Sequence, residues 1–341
     1  MTARIAAALV AVLAIASGCQ RVMDGMAERT LTRVDESVLK SPDLQVVLCG
    51  TGSPIADPDR ASACTAVIAG GHFFLVDSGP GSANVVDLAN LPLDHLQGVL
   101  LTHFHSDHIG DLGEVTTRSW IAGRAQPLEV YGPPGVARVV AGAQEMYAAD
   151  VDARVTHHGD HYMPRAAAGA VAHEIPLAEA ADADAVIFDQ DGLRVTMFRV
   201  DHDPVRPAVG YRFDYKGRSA VVSGDTKKCA NVIAHAKGAD LLVHEALASE
   251  LTDRAVKVAR KLGMERMAKL ANDIPGYHST PRQAGEVAQE AGVKHLVLSH
   301  LVPPPRNILM KRVFTSDAKQ AYSGEVTLGE DGMRFSLPPS S

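Results

Sequence analysis

The chain has 341 residues, of which 46% are hydrophobic and 21% are charged, so it can bury a large core as one domain or two packed halves. That composition excludes an intrinsically disordered chain, which lacks the apolar residues for a core. The net charge is -7, which excludes a basic field over the whole surface that would recruit nucleic acid, although a local basic groove stays open.

The N-terminus has the pattern of an export signal. Arg4 stands in a short positive start, residues 5–15 are apolar, and small residues at 16–18 offer a cleavage site. The apolar run is too short to remain as a membrane-spanning helix. We therefore predict a signal peptide over residues 1–18 and an exported protein.

Cys19, directly after the small residues, resembles the lipidated cysteine of a bacterial lipoprotein. Ala16 departs from this pattern, because a larger aliphatic residue is usual there, so ordinary signal cleavage stays the alternative. The lipoprotein interpretation predicts a periplasmic or outer-membrane protein, membrane-anchored through lipidated Cys19. Residues 19–43 are polar and irregular and are predicted to form a tether with a short helix.

Three cysteines remain if Cys19 carries lipid, an odd number in a compartment that permits disulfides. Cys49 and Cys64 flank one polar loop and can pair. Cys49 also ends a predicted strand, where a small buried thiol is common, so both states stay open. Neither these two nor Cys229 lies at a metal-ligand spacing.

The folded domain is predicted over residues 44–341 and begins with a strand at 44–48. Two glycines at 70–71 indicate a hairpin. Apolar runs then alternate with helical stretches, which is typical of sheets covered by helices. The predicted elements are a helix over 83–90, strands over 91–101 and 128–132, a helix over 135–149, a strand over 193–200 and a helix over 281–291.

A histidine-rich stretch follows the apolar run at 98–101. Three imidazoles and one carboxylate fall within six residues, at His103, His105, Asp107 and His108. Imidazole and carboxylate ligands suit zinc, and a ligand set without thiolate leaves room for the bound water of a catalytic site. The spacing His-x-His-x-Asp-His predicts a metal site.

Later apolar strands also end in histidine or aspartate. These residues are His202, Asp225, His244 and His300. Gly224 precedes Asp225 and lets the backbone turn sharply, so that the carboxylate points off the strand end. Chance spacing explains this repetition poorly, and we expect this half of the chain to complete the site.

Two further regions are ambiguous. His157, His158 and His161 form a second histidine concentration in a predicted irregular link, and we expect them not to bind metal, although one could border the pocket. Residues 250–272 form a basic helical stretch, expected to be either a solvated face or a cover that lends positive charge to an anionic substrate.

The histidine stretch resembles the signature of the metallo-β-lactamase superfamily, and the chain is most similar to its branch of ribonuclease Z and ribonuclease Z-like arylsulfatases. The resemblance covers nearly the whole mature chain and implies an α/β fold, a four-layer αββα sandwich. It rests on the histidine stretch and on Gly50-Thr51-Gly52-Ser53-Pro54, Asp201-His202, Gly210-Tyr211-Arg212, Gly224-Asp225-Thr226, His244-Glu245-Ala246, His278-Ser279-Thr280 and His300-Leu301-Val302-Pro303-Pro304.

The resemblance implies two zinc ions per chain. Three histidines hold the first ion, an aspartate and two histidines hold the second, and one aspartate bridges both. The matching residues are, in that order, His103, His105 and His202; Asp107, His108 and His300; and Asp225. Asp77 is expected to order the metal loops from behind the ligands.

The same resemblance implies a metal-dependent hydrolase of ester bonds. A water between the metals becomes the nucleophile. His278, oriented by Glu245, is the candidate general acid for the leaving oxygen, and Asp107 completes the set of catalytic candidates.

The main functional prediction is an exported hydrolase of small anionic esters, with aryl sulfate first and phosphodiester next. Nucleic acid is disfavoured as a substrate by the export signal, the negative charge and the lack of a long glycine- and proline-rich basic arm between residues 108 and 202. The alternatives are a ribonuclease Z-type tRNA 3' endonuclease, a lactonase or β-lactamase, and a non-catalytic lipid-anchored binding protein. A homo-oligomer stays open.

Overall fold

The protein is a two-sheet sandwich in a computed structural model that describes residues 20–340. The first sheet has the strand order β14-β1-β2-β3-β4-β5-β6, and the second has the order β13-β12-β11-β10-β9-β8-β7. The strands of the first sheet are β1 (Leu44–Gly50), β2 (Cys64–Ala69), β3 (His72–Val76), β4 (Gly98–Leu100), β5 (Leu128–Gly132), β6 (Ala170–Glu174) and β14 (Arg334–Leu337). Those of the second are β7 (Asp184–Gln190), β8 (Leu193–Arg199), β9 (Val209–Tyr215), β10 (Arg218–Val222), β11 (Leu241–Leu247), β12 (His295–Val302) and β13 (Glu325–Leu328).

Helices cover the outer faces of both sheets. The helices of the described residues, not all of which pack on a sheet, are α1 (20–31), α2 (Ser37–Lys40), α3 (Ser82–Leu88), α4 (Ser106–Ile109), α5 (Leu112–Ala122), α6 (Val136–His158), α7 (Ala230–His235), α8 (Ser249–Lys261), α9 (Glu265–Asp273), α10 (Pro281–Ala291) and α11 (Ile308–Ala321). None of the helices that the structure describes combines the length and apolar character needed to cross a membrane.

Three apolar layers hold the sandwich together. The central layer lies between the sheets, where Phe74 of β3 belongs to the same buried cluster as Phe213 of β9 and Val243 of β11. Outer layers pack α3, α5 and α6 on the first sheet and α7, α10 and α11 on the second. Burial of apolar surface on both faces of each sheet stabilises this arrangement. The predicted four-layer αββα sandwich is confirmed.

Each sheet is mixed, and the two follow the same plan. In the first sheet, β14, β1, β2 and β3 pair antiparallel, and β3 to β6 pair parallel. In the second, β7 to β10 pair antiparallel, and β10 to β13 pair parallel. The carboxyl ends of the parallel strands place their following loops at one edge of the sandwich.

Several element predictions need correction. The strand predicted over 91–101 is only β4, preceded by a 3₁₀ turn at Leu93–His95. The helix predicted over 135–149 continues to His158, so His157 and His158 lie on its last turn instead of in an irregular link. The helical stretch at 250–272 is two helices, α8 and α9, and α11 follows the helix at 281–291, which was predicted to be the last.

Cys49 and Cys64 form a disulfide that joins β1 to β2. Both cysteines are buried in the core, but the bond between them excludes the alternative of two core thiols. Among residues 20–340, Cys229 has no disulfide partner. The bond closes the loop that carries residues 51–63.

The N-terminal predictions have different outcomes. The signal peptide at 1–18 and the lipidated Cys19 lie outside the described residues, so export and anchoring stay predictions. Within the predicted tether, α1 is largely exposed, but Val38 of α2 is 5% exposed and packs in the outer core of the first sheet. The packed structure therefore begins a few residues before the predicted boundary at 44.

Candidate metal centre

The first sheet supplies one continuous loop to the site. After β4 ends at Leu100, the chain passes through Thr102 and His103, and the single-turn helix α4 then carries Asp107 and His108. His103, Asp107 and His108 are all buried. The short helix turns residues that are close in sequence toward a common point.

Asp77 holds this loop from behind. Its carboxylate accepts hydrogen bonds from the Thr102 backbone N–H and hydroxyl, both at 2.8 Å, and from His108 Nδ1 at 2.7 Å. Asp77 follows β3 and has a positive φ of 61°. Its contacts are those expected of a residue that orients a metal-binding histidine.

The second sheet supplies one side chain from each of several strands. His202 follows β8, and Asp225 follows β10 directly after Gly224. Gly224 has a φ of +60°, and a Cβ there would lie 2.7 Å from the Val209 carbonyl oxygen. Only glycine fits this turn, as the sequence predicted.

His300 reaches the site by a route that the sequence did not indicate. It lies inside β12, not beyond its end, at a point where the register shifts so that Glu245 pairs with Ser299 and Ala246 pairs with Leu301. His300 is the extra residue of this bulge and has a positive φ of 44°. A bulge bends the strand and redirects the side chain, which here points into the site.

Two of the donor groups that result contain all seven predicted ligands. The first contains His103, His105, His202 and Asp225, and the second contains Asp107, His108 and His300, with the atoms of each group within 4.8 Å of one another. His300 Nε2 lies 3.1 Å from Asp107 Oδ2.

Asp225 stands between the two groups. Its Oδ2 lies 3.4 Å from Nε2 of both His108 and His300, and 3.9 Å from Nε2 of both His103 and His202. The structure therefore brings together all seven residues that were predicted as metal ligands, with Asp225 between the two groups.

Unpaired buried atoms test whether this site fits a metal. Among the described residues, His108 Nε2, His202 Nε2 and Asp225 Oδ1 are buried without a hydrogen-bond partner. The other nitrogen of each histidine is held by the protein, because His108 Nδ1 donates to Asp77 and His202 Nδ1 donates to the Tyr277 carbonyl at 2.8 Å. Unpaired buried polar atoms are costly, and a divalent ion would satisfy them.

The electrostatics of the site agree with metal binding. Burial, followed by the charge of His108, lowers the pKa of His103 well below its usual range, and burial lowers the pKa of His202, so both imidazoles are neutral and able to bind a cation. Burial alone would raise the pKa of Asp225, but His300 and His108 hold it well below its usual range. A divalent metal, typically zinc, suits these nitrogen and carboxylate donors.

His108 differs from the other histidines. Burial alone would lower its pKa, but the carboxylates of Asp225 and Asp77 raise it well above the usual value. A metal that binds His108 Nε2 must therefore displace a proton, so metal binding is expected to release protons.

His278 and Glu245 lie beside these donors. His278 Nδ1 donates to Glu245 Oε1 at 2.9 Å, and the same oxygen accepts the Thr226 N–H at 2.9 Å. Burial opposes protonation of His278, but Glu245 and then Asp225 raise its pKa to about 9. His278 Nδ1 is 3.9 Å from Asp225 Oδ2 and could join a donor group, but its hydrogen bond to Glu245 occupies that nitrogen. Nε2 therefore remains available, and the raised pKa of His278 suits a proton donor at that nitrogen.

Other sequence candidates lie elsewhere or have another role. His157, His158 and His161 are exposed and belong to neither donor group. His244 is fully buried and turns its Nδ1 to the Glu245 carbonyl at 2.8 Å.

Two residues near the ligands escaped the sequence analysis. Thr102 bonds to Asp77 and lies 3.2 Å from His103 Nδ1. Tyr277 accepts the hydrogen bond of His202 through its backbone carbonyl, a contact with no side-chain signal. Their positions directly before His103 and His278 were the available hint.

Known proteins resemble this chain in sequence and in fold. A family model described as a beta-lactamase superfamily domain matches residues 72–301. The ribonuclease Z of Mycobacterium avium (strain 104) is 36% identical over 301 residues, covering 87% of this chain and 100% of that protein.

Two solved structures share the fold. Human tRNase Z, short form, superimposes with a TM-score of 0.60 at 24% identity and covers 86% of this chain and 99% of its own. The metallo-beta-lactamase fold protein YhfI from Bacillus subtilis has a TM-score of 0.60 at 19% identity, with coverages of 87% and 100%.

The family model and the ribonuclease Z match, together with the two donor groups, place the protein in a class. The chain belongs to the metallo-β-lactamase superfamily, in its ribonuclease Z-like branch, and is a metal-dependent hydrolase of ester bonds.

The comparisons also correct one prediction. Nucleic acid was predicted to be disfavoured as a substrate, and this is wrong, because the relatives matched over almost their whole length are named ribonuclease Z. The arylsulfatase-like prediction finds no support among these relatives. Net charge over the whole chain was a poor guide, because it averages over local surfaces.

Proposed function

We propose that the protein is a ribonuclease Z-type endonuclease that hydrolyses a phosphodiester near the 3' end of precursor tRNA. The observation that carries the proposal is the match over the whole length of a ribonuclease Z, in a chain where Asp225 lies 3.4 Å from His108 of one donor group and 3.9 Å from His202 of the other, beside the His278–Glu245 pair.

Metal ligation is assigned by the two donor groups. We assign one ion to His103, His105 and His202, a second to Asp107, His108 and His300, and the bridging position to Asp225. A pair of divalent ions bound there supplies an activated water and neutralises charge on the phosphoryl group.

His278 is assigned the role of general acid. Glu245 Oε1 holds its Nδ1, which leaves Nε2 free to give a proton to the departing ribose oxygen. The raised pKa keeps the imidazole protonated at neutral pH, as a proton donor requires. Glu245 is itself fixed by the backbone N–H groups of Thr226 and Ser279, so the imidazole is held in one orientation.

The α8–α9 hairpin supports an RNA substrate. It joins β11, which carries Glu245, to the turn that carries His278. Residues 249–273 contain six basic and four acidic side chains, a net charge of +2 in a chain of net charge -7. Two basic residues pair with carboxylates of the same helices, whereas no described carboxylate pairs with Lys257, Arg260, Lys261 or Arg266. Basic side chains without a carboxylate partner are suited to contact the phosphates of RNA.

Cleavage of defined substrates tests the proposal. A precursor tRNA with a 3' trailer, an aryl phosphodiester and an aryl sulfate are incubated with metal-loaded protein, and the RNA products are sized. We expect a single cut near the 3' end of the tRNA and no sulfate release. Turnover of the small esters without cutting of the RNA would contradict the ribonuclease assignment.

A second candidate is hydrolysis of a small phosphodiester outside the cytoplasm. The Cys49–Cys64 disulfide favours it, because such bonds persist mainly in oxidising compartments, and it agrees with the export signal predicted from the sequence. The same panel separates the two candidates, since only the second predicts a higher kcat/KM for the small diester than for the RNA.

A further inference from the structure

Tyr277 stands at the edge of the metal centre with a fixed backbone and a free hydroxyl. It follows the 3₁₀ turn Ile274–Gly276 that ends the α8–α9 hairpin, and its N–H donates to the Ile274 carbonyl at 3.3 Å. Its own carbonyl accepts the hydrogen bond from His202. The backbone N–H and the backbone carbonyl of Tyr277 are therefore both hydrogen-bonded, which fixes the residue beside the site.

The Tyr277 ring packs on one metal-binding residue and on the candidate acid. Its centroid lies 5.2 Å from the ring of His202 and 4.8 Å from the ring of His278. Both are aromatic contact distances. The half-buried ring therefore borders the space where a substrate would meet both histidines.

The Tyr277 hydroxyl has no protein partner among the described residues. The buried tyrosines Tyr211 and Tyr322 instead donate to the Leu101 and Val293 carbonyls, each at 2.7 Å. A phenol at neutral pH keeps its proton and is a hydrogen-bond donor. A free donor beside a hydrolytic centre is available to the substrate.

We propose that Tyr277 is a further catalytic residue, whose hydroxyl donates a hydrogen bond to a non-bridging phosphoryl oxygen of the substrate. This inference rests on the proposed phosphodiester hydrolysis. A hydrogen-bond donor that is already in place stabilises the negative charge on those oxygens. One such donor has a large effect on the rate of reaction. Tyr277 transfers no proton and forms no covalent bond in this role.

The substitution Tyr277→Phe tests the hydroxyl alone, since the ring and the backbone carbonyl remain. We expect kcat on an aryl phosphodiester and on precursor tRNA to fall roughly 10²-fold, with KM nearly unchanged and two metal ions retained. Inhibition by inorganic vanadate, which mimics the phosphoryl group in flight, should weaken in parallel. Tyr162→Phe is the matched control, because Tyr162 is 77% exposed and outside the site.

Other outcomes overturn the inference. A Tyr277→Phe variant with wild-type kcat and vanadate inhibition excludes the hydroxyl. If Tyr277→Ala alone raises KM, and only for RNA, the ring stacks on a base instead. Loss of metal in Tyr277→Phe assigns a structural role. If the wild type turns over the aryl diester but not RNA, the ribonuclease proposal fails while the Tyr277 test still decides, and turnover of neither overturns both.

Discussion

The two sheets build their halves of the metal centre in different ways. The first sheet contributes four candidate ligands from one loop, residues 103–108, and the Asp77 side chain holds this loop at Thr102 and His108. The second sheet contributes His202, Asp225 and His300 from three separate strands, and the Tyr277 backbone carbonyl orients His202. One half is therefore local in sequence and depends on a substitutable carboxylate, whereas the other depends on strand register and backbone.

The largest effect is expected at Asp225, where the two halves meet. Asp225→Ala removes the carboxylate that lies near both donor groups, so bound metal should fall and turnover should be abolished together. Elemental analysis and turnover measured on the same sample check this. Asp189→Ala, an exposed carboxylate on β7, is the control. Unchanged metal content in Asp225→Ala would break the model of a shared site.

Substitution of His278 tests the half of the site built by the second sheet without removing a candidate metal ligand. His278→Ala should retain both metals but lose roughly 10²–10⁴-fold in rate on esters with poor leaving groups, because the proton donor is missing. Esters of acidic phenols leave unaided and should lose much less. Glu245→Gln should show the same pattern more weakly. The measurement is the dependence of rate on leaving-group pKa, and equal losses for both classes would assign the proton to another group.

Substitution of Asp77 tests the half of the site built by the first sheet, because Asp77 holds the candidate ligand His108. Asp77→Asn removes the charge that holds His108, so metal affinity should fall roughly 10–100-fold, and added metal should restore activity. A metal titration followed by activity measures this. Unchanged metal affinity would mean that the loop of residues 103–108 keeps its geometry without Asp77. The first half of the site would then not depend on that carboxylate.

The smallest effect is expected from substitutions in the α8–α9 hairpin. This hairpin follows β11 and so belongs to the half of the site that the second sheet builds. Lys257→Gln with Lys261→Gln should raise KM for RNA and lower the salt dependence of RNA binding by roughly one unit of slope for each lost phosphate contact. Activity on an aryl phosphodiester should not change. Lys216→Gln with Lys237→Gln, at the opposite end of the second sheet, is the charge-matched control. If the two double variants had equal effects, the hairpin would contribute only to the overall charge and would not contact RNA specifically.

The sequence by itself determined the local half of the site. His103, His105, Asp107 and His108 are separated by so few residues that the chain cannot carry them far apart, so their pattern alone predicted a metal site. Gly224 was also readable, because a glycine before an aspartate at a strand end indicates a sharp turn, and the structure has a positive φ there. The sandwich followed from the alternation of apolar runs and from the family resemblance.

Only the tertiary structure decided the other half. The approach of His278 to Asp225 spans 53 residues of chain, and the bulge that redirects His300 depends on how β12 pairs with β11. The pairing of Cys49 with Cys64 and the free hydroxyl of Tyr277 likewise depend on which strands and loops become neighbours. Strand register and long-range packing are set by the whole core, because a one-residue shift would turn every side chain to the other face, and no local pattern encodes that choice.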